Sequence, residues 1–188
     1  MAVDFFFDPP TCNLPSLGVL RDFFWEHMPS EVADVLSQEY QYLKFHSHML
    51  DSVHFTAEGK VGEKPWKKPL GLSVRAGAIK AALLVAASIS EAVLRVVAEA
   101  RGYPLPANPR HRTFGKVIEA WESVNGNTGA DVAHLWDTVK ELKDVRNNVH
   151  LFKAAGDAAA NFQAILGQEN DLLPRVIKAV DELAKLKP

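Results

Sequence analysis

Residues 71 to 100, "GLSVRAGAIKAALLVAASISEAVLRVVAEA", contain no proline and are rich in Ala, Leu and Val, apolar on nearly every side. A helix with one apolar stripe can lie on a surface, but a helix apolar all round has to be enclosed by neighbours. The stretch therefore predicts a long central helix that stops at Gly102, with the rest of the chain packed around it. Lys80, Ser88, Ser90, Glu91, Arg95 and Glu99 interrupt the run too often for a comfortable membrane span. A buried core helix is expected, and no membrane partner.

The flanking sequence supplies helices to enclose it. "PSLGVLRDFFWEHM", residues 15 to 28, has helical apolar spacing and stops at Pro29. Ser30 can cap a second helix, whose apolar face would be Val32, Val35, Leu36, Tyr40 and Leu43 and which fades near Asp51. Residues 57 to 70 combine two glycines, two prolines and four lysines and read as an exposed loop. "GYPLPANPR", residues 102 to 110, cannot continue a helix and must cross the surface. Thr113 opens a helix to about Val124, and Thr128 with Asp131 resembles a capping box for the next, reaching about Ala154. Further helices are expected near 158–166 and 173–186. With no convincing alternating apolar run, the expectation is an all-α bundle of six or seven helices in a single domain, residues 1–188.

Composition excludes several function classes. A net charge of -2 argues against a uniformly basic nucleic-acid coat, and 47% hydrophobic residues place the chain among folded globular proteins. Cys12 is the only cysteine, so no internal disulfide and no cysteine-rich zinc cluster is available. The opening residues lack a basic leader with an apolar core, which leads to the expectation of a cytoplasmic protein.

One stretch of the motif helix departs from core-forming logic. In "KDVRNNVHLF", residues 143 to 152, a rotation of about 100° per residue puts Val132, Leu135, Val139, Leu142 and Val149 within roughly 60° of Arg146. His150 falls about 40° away on the next turn, so Arg146 and His150 share a face. A guanidinium in an apolar stripe needs partners, because an unpaired buried charge costs several kcal/mol. Glu91, set in the central helix, is a structural partner across the bundle. The functional alternative is a cleft or subunit interface in which Arg146 binds a phosphate bidentately and His150 transfers protons.

Arg146-Asn147 followed by His150, late in a helical chain, resembles the signature of the HEPN superfamily. The general layout is similar too: "SISEAVLRVV" and "TFGKVIEAW" precede the motif over about residues 71 to 154. Family members place four to six residues between Arg and His; here Asn147, Asn148 and Val149 intervene, a one-turn spacing that keeps both side chains on one face. The resemblance implies a homodimeric, metal-independent endoribonuclease without cofactor, acting as a toxin or antiviral-defence effector and regulated by an antitoxin or other protein. Arg146 would stabilise charge on the scissile phosphate, His150 would act as general acid or base, and Asn147 would be the polar residue beside the arginine. Other members are catalytically inert modules that bind nucleotides or proteins.

Two basic clusters are further candidates for RNA contact. Lys64, Lys67 and Lys68 flank Trp66, an aromatic available for stacking, and Arg110 and Arg112 enclose His111. Solvated loop charges are the commoner reading of such clusters. His46, His48 and His54 could suggest a metal site, but His46 and His48 face different sides of a helix and no cysteine joins them, so none is expected.

Overall fold

A computed structural model describes residues 5–7, 14–24, 28–57, 66–69, 72–126, 129–148 and 158–187. The described residues form seven α-helices: α1 (Leu17–Phe24), α2 (Ser30–Ser52), α3 (Leu72–Ala100), α4 (Phe114–Asn125), α5 (Trp136–Asn148), α6 (Ala158–Gly167) and α7 (Leu172–Leu183). The all-α bundle expected from the apolar patterning is the observed architecture. Helix α3 is its axis, in contact with α2, α4, α5, α6 and α7. Ile79, Ala82, Ala86, Ala87, Ile89, Val93, Leu94, Val97 and Ala98 of α3 are buried, which places inward-facing residues on several of its sides. By length and composition Ser73–Ala100 is apolar enough to cross a membrane, but 56% of its most apolar window is enclosed by the bundle.

The partner helices bury the complementary stripes. Leu36, Tyr40, Leu43 and Leu50 of α2 are buried, and Leu172, Val176, Val180 and Leu183 of α7 repeat at three- and four-residue intervals. Val35, expected on the inner face of α2, is instead 57% exposed. It lies about 100° of helical rotation from Leu36, which takes the inward position. Polar groups tie the layers where chain segments meet. The buried Tyr40 hydroxyl donates to Asp181, and Lys44 lies 3.1 Å from the same carboxylate. Burial, reinforced by Asp181, pushes the Tyr40 hydroxyl far above its ordinary range. Arg75 donates to Glu169 (Nε–Oε2 2.7 Å) and to the Leu50 carbonyl (3.1 Å), joining the end of α2 to the α6–α7 turn.

Two local readings are corrected. Residues 57 to 70 are not loop throughout: β3 (Trp66–Pro69) pairs antiparallel with β2 (Val53–Ala57), which in turn pairs with β1 (Phe5–Phe7). The sheet order is β1-β2-β3, so Pro69 belongs to an edge strand, where a missing amide donor is tolerated. The motif helix also does not open at the Thr128–Asp131 box. A 3-10 segment runs from Ala130 to Leu135, with Val132 off helical geometry at φ -111°, ψ 21°, and the regular helix begins at Trp136. Thr128 lies outside the described residues.

Gly129 sets this entry. Its φ is +66°, and a Cβ there would stand 2.5 Å from ring atoms of Trp136, itself 1% exposed and unable to yield. Gly129→Ala is expected to cost about 2–3 kcal/mol, a fall in Tm of about 5–10 °C for a domain of this size. A thermal melt followed by circular dichroism checks it, and an unchanged Tm contradicts the assignment. Trp136 packs against Trp121 at 6.0 Å between ring centroids, and the Trp121 indole N–H donates to the Leu94 carbonyl at 3.0 Å, so both indoles are core residues.

Candidate functional site

Helix α5 reaches α3 through an apolar stripe of Trp136, Val139 and Leu142, all buried, continued by half-buried Val145. Arg146 follows Val145 in the last turn, where a cation is also favoured by the helix dipole. Its Nη1 lies 2.6 Å from Oε2 of Glu91 on α3, with side-chain exposures of 35% for Arg146 and 17% for Glu91. The ion pair anticipated from two charges in apolar stripes is therefore formed, but not sealed. A guanidinium carries five N–H donors in a rigid fork, and the third of the side chain that faces solvent can meet an incoming phosphate.

Glu91 does more than pair with Arg146. The backbone N–H of Phe114, first residue of α4, donates to its carboxylate. Thr113 stands at the N-cap of α4 without making a side-chain cap hydrogen bond. Glu91 thus satisfies, from another helix, one of the four amide donors that the start of α4 leaves without an intrahelical partner. Burial raises the Glu91 carboxyl above its ordinary value, opposed by the charges of Arg146 and Arg95, the Arg146 hydrogen bond and the Phe114 amide.

From Glu91 the charges continue along α3 at four-residue spacing. Arg95 Nε donates to Glu99 Oε1 at 2.8 Å, and Arg112 Nη1 meets the same oxygen at 2.6 Å. Burial alone would raise Glu99, but hydrogen bonds and charge from Arg95 and Arg112 hold it below its ordinary value. Arg112 also donates to the carbonyls of Pro106 (2.7 Å) and Ala107 (3.3 Å), fixing the proline-rich crossover. Arg146, Glu91, Arg95, Glu99 and Arg112 therefore form one alternating file in which guanidinium groups outnumber carboxylates. Such a file presents net positive charge to an anion approaching from solvent.

The candidate residues are distributed as follows. Arg146 and Arg112 are brought to the two ends of this file. Asn147 is exposed on α5 beside Arg146. Arg110 is exposed on a short 3-10 turn, Pro109–His111, with its backbone N–H held by Asn108 Oδ1 at 3.0 Å. Trp66, Lys67 and Lys68 stand on β3 opposite Ala57, Thr56 and Phe55, on a different element from the file. His150 and Lys64 lie outside the described residues, as does the expected extension of α5 to Ala154. Sequence reasoning singled out neither the role of Glu99 nor the link from Arg112 to it. The available signal was the Glu91-Arg95-Glu99 spacing of four, which places all three on one helix face.

Comparison with protein-family models, with curated proteins and with solved structures finds no match to this chain.

Proposed function

We propose that the chain is a metal-independent endoribonuclease of the HEPN type, in which Arg146, Asn147 and His150 form the cleavage site. The observation that carries this reading is Arg146: a guanidinium anchored at 2.6 Å by Glu91 yet 35% exposed at the end of its helix. An arginine serving only the core would be enclosed with its partner, whereas one that binds phosphate has to be both oriented and reachable.

In the reaction, His150 takes the proton of an RNA 2′-hydroxyl, whose oxygen attacks the adjacent phosphorus. The phosphorus–O5′ bond breaks, and the leaving oxygen receives a proton from a general acid, which a second His150 across a homodimer would supply. Arg146 stabilises the charge growing on the phosphoryl oxygens, and Asn147 offers an amide beside it. DNA lacks the attacking hydroxyl and is not a substrate. The biological role consistent with such chemistry is that of a toxin or antiviral-defence effector in the cytoplasm, held in check by an antitoxin or other protein partner.

The Glu91 contact also favours a second reading, a catalytically inert nucleotide- or protein-binding module in which the pair is chiefly structural. Incubating purified protein with single-stranded RNA and with DNA of the same sequence, both in EDTA, separates the two. Cleavage of the RNA alone is the expected result; intact RNA despite saturable binding would favour the inert module.

A further inference from the structure

At the end of α5, helices α3 and α5 and the end of α6 line a half-open cavity of about 150 Å³. Its apolar walls are Leu83 of α3, Val145 of α5, and Ala164 and Ile165 of α6. Val145 and Asn148 share one face of the last turn of α5, about 130° of helical rotation from Arg146, so the cavity and the Arg146–Glu91 pair lie on different sides of that turn. Its polar lining comes from Lys80, Asn148 and Gln168. The Gln168 side-chain oxygen is buried and has no hydrogen-bond partner among the described residues. The backbone of Gln168 is well used: its N–H donates to the Ile165 carbonyl (3.0 Å) and its carbonyl accepts from Leu173 (2.9 Å). Its side-chain oxygen is a buried polar atom left without a partner among the described residues.

A buried acceptor without a donor is unfavourable, and such atoms are normally satisfied by protein, water or ligand. Apolar cavities of about 150 Å³ are large enough for one six-membered aromatic ring. A fused two-ring purine would leave part of its second ring outside this space. The ligand that satisfies the walls is flat and apolar on its faces. To satisfy the polar lining it needs an N–H for Gln168 Oε1 and a carbonyl oxygen for the Lys80 ammonium or the Asn148 amide. Asn148 is exposed, which leaves that side of the cavity open for a sugar and phosphate to extend toward solvent.

We propose that this cavity is a pyrimidine-nucleobase pocket, in which Gln168 accepts from the base N–H and which confers a preference for uridine or cytidine in the bound RNA. The preference for a position in RNA rests on the nuclease reading; the pocket itself does not. Because the base is read by an otherwise unpaired buried acceptor, analogues that cannot donate to it or do not fit are discriminated strongly.

The test is calorimetric titration of the full chain, in EDTA, with the 5′-monophosphates of uridine, cytidine, adenosine and guanosine. Uridine and cytidine monophosphate are expected to bind about tenfold or more tightly than the purine nucleotides. Gln168→Leu removes the orphan acceptor at nearly constant volume, so it should weaken pyrimidine binding by about tenfold without lowering Tm. Ala164→Leu fills the cavity and should weaken binding to a similar degree. If Ala164→Leu fails to fold, Gln168→Leu decides alone. Equal affinity for all four nucleotides, absence of binding, or binding unchanged by Gln168→Leu overturns the pocket. A protein that binds pyrimidine nucleotides through Gln168 but leaves RNA intact keeps the pocket and loses the nuclease. One that cuts RNA without regard to the base does the reverse.

Discussion

On the proposed mechanism His150→Ala is expected to lower the rate of RNA cleavage by about 10²–10⁴-fold, the range lost when a positioned general acid–base is removed, with Tm expected to stay within about 2 °C of the wild type. Arg146→Ala is expected to lower it by about 10²–10³-fold, the magnitude associated with deleting one donor aimed at developing charge. Arg146→Lys restores the charge but not the planar fork, so it should recover only part of that loss. Single-turnover assays in EDTA at saturating RNA read these effects on the chemical step. Full activity in His150→Ala would sink the assignment of the histidine, and full activity in Arg146→Ala that of the arginine.

Glu91 carries the second large effect, and two substitutions divide its roles. Glu91→Ala removes the acceptor for Arg146 and for the Phe114 amide together. Breaking a fully buried pair costs about 3–5 kcal/mol, but with Arg146 a third exposed, solvent softens the loss. A cost of about 2 kcal/mol is expected, a fall in Tm of about 4–8 °C. Glu91→Gln keeps an oxygen for the amide and the guanidinium but gives up the charge. Its Tm should stay close to the wild type at about pH 4, where the wild-type carboxyl is largely protonated, while kcat at neutral pH is expected to fall by about 10–10²-fold with little change in KM, because Arg146 is less firmly positioned. A Gln variant with wild-type kcat would show that Glu91 has no positioning role.

The sign of the Glu91 shift adds a pH test. Burial raises its folded value above the ordinary 4.5, so the folded protein holds this proton more tightly than the unfolded chain does. The stability it contributes is complete below about pH 4.5 and is lost as pH rises through the folded value. A glutamine escapes that loss. The Tm of Glu91→Gln should therefore gain on the wild type between about pH 4 and pH 7, and a gap that widens in the opposite direction contradicts the burial of the carboxyl.

Helix α3 was legible because thirty residues without proline, apolar on most sides, leave no alternative to an enclosed helix. The stop at Gly102, with φ +69°, follows from the same pattern. The strands were not legible. Phe5–Phe7 is too short to alternate, and Trp66–Pro69 sits among lysines and prolines that resemble an exposed connection. Its strand character comes from pairing with β2 rather than from its own composition. At the entry to α5, the Thr128–Asp131 spacing suggested a cap, but Gly129 and Ala130 both take positive φ, at 66° and 49°, and the chain turns through a 3-10 segment first.

For the site, the Arg146–Glu91 pair could be anticipated because each charge is conspicuous in its own apolar face. The bond from Glu91 to the start of α4 could not, since it depends on how the crossover delivers Phe114 to α3. Arg112 illustrates the same limit. A basic cluster in sequence suggests solvent or phosphate, yet its guanidinium holds Glu99 and two crossover carbonyls. The cavity beside Val145 needs three helices to exist, and no local pattern announces it.

The most direct measurement is the chemistry of the ends left on the RNA. Attack by the 2′-hydroxyl leaves a 2′,3′-cyclic phosphate on one fragment and a 5′-hydroxyl on the other. Digestion of a labelled oligoribonucleotide by the purified protein in EDTA, followed by mass spectrometry of the fragments, is predicted to give those ends. Fragments bearing 3′-hydroxyl and 5′-phosphate, or no fragments at all, would contradict the account.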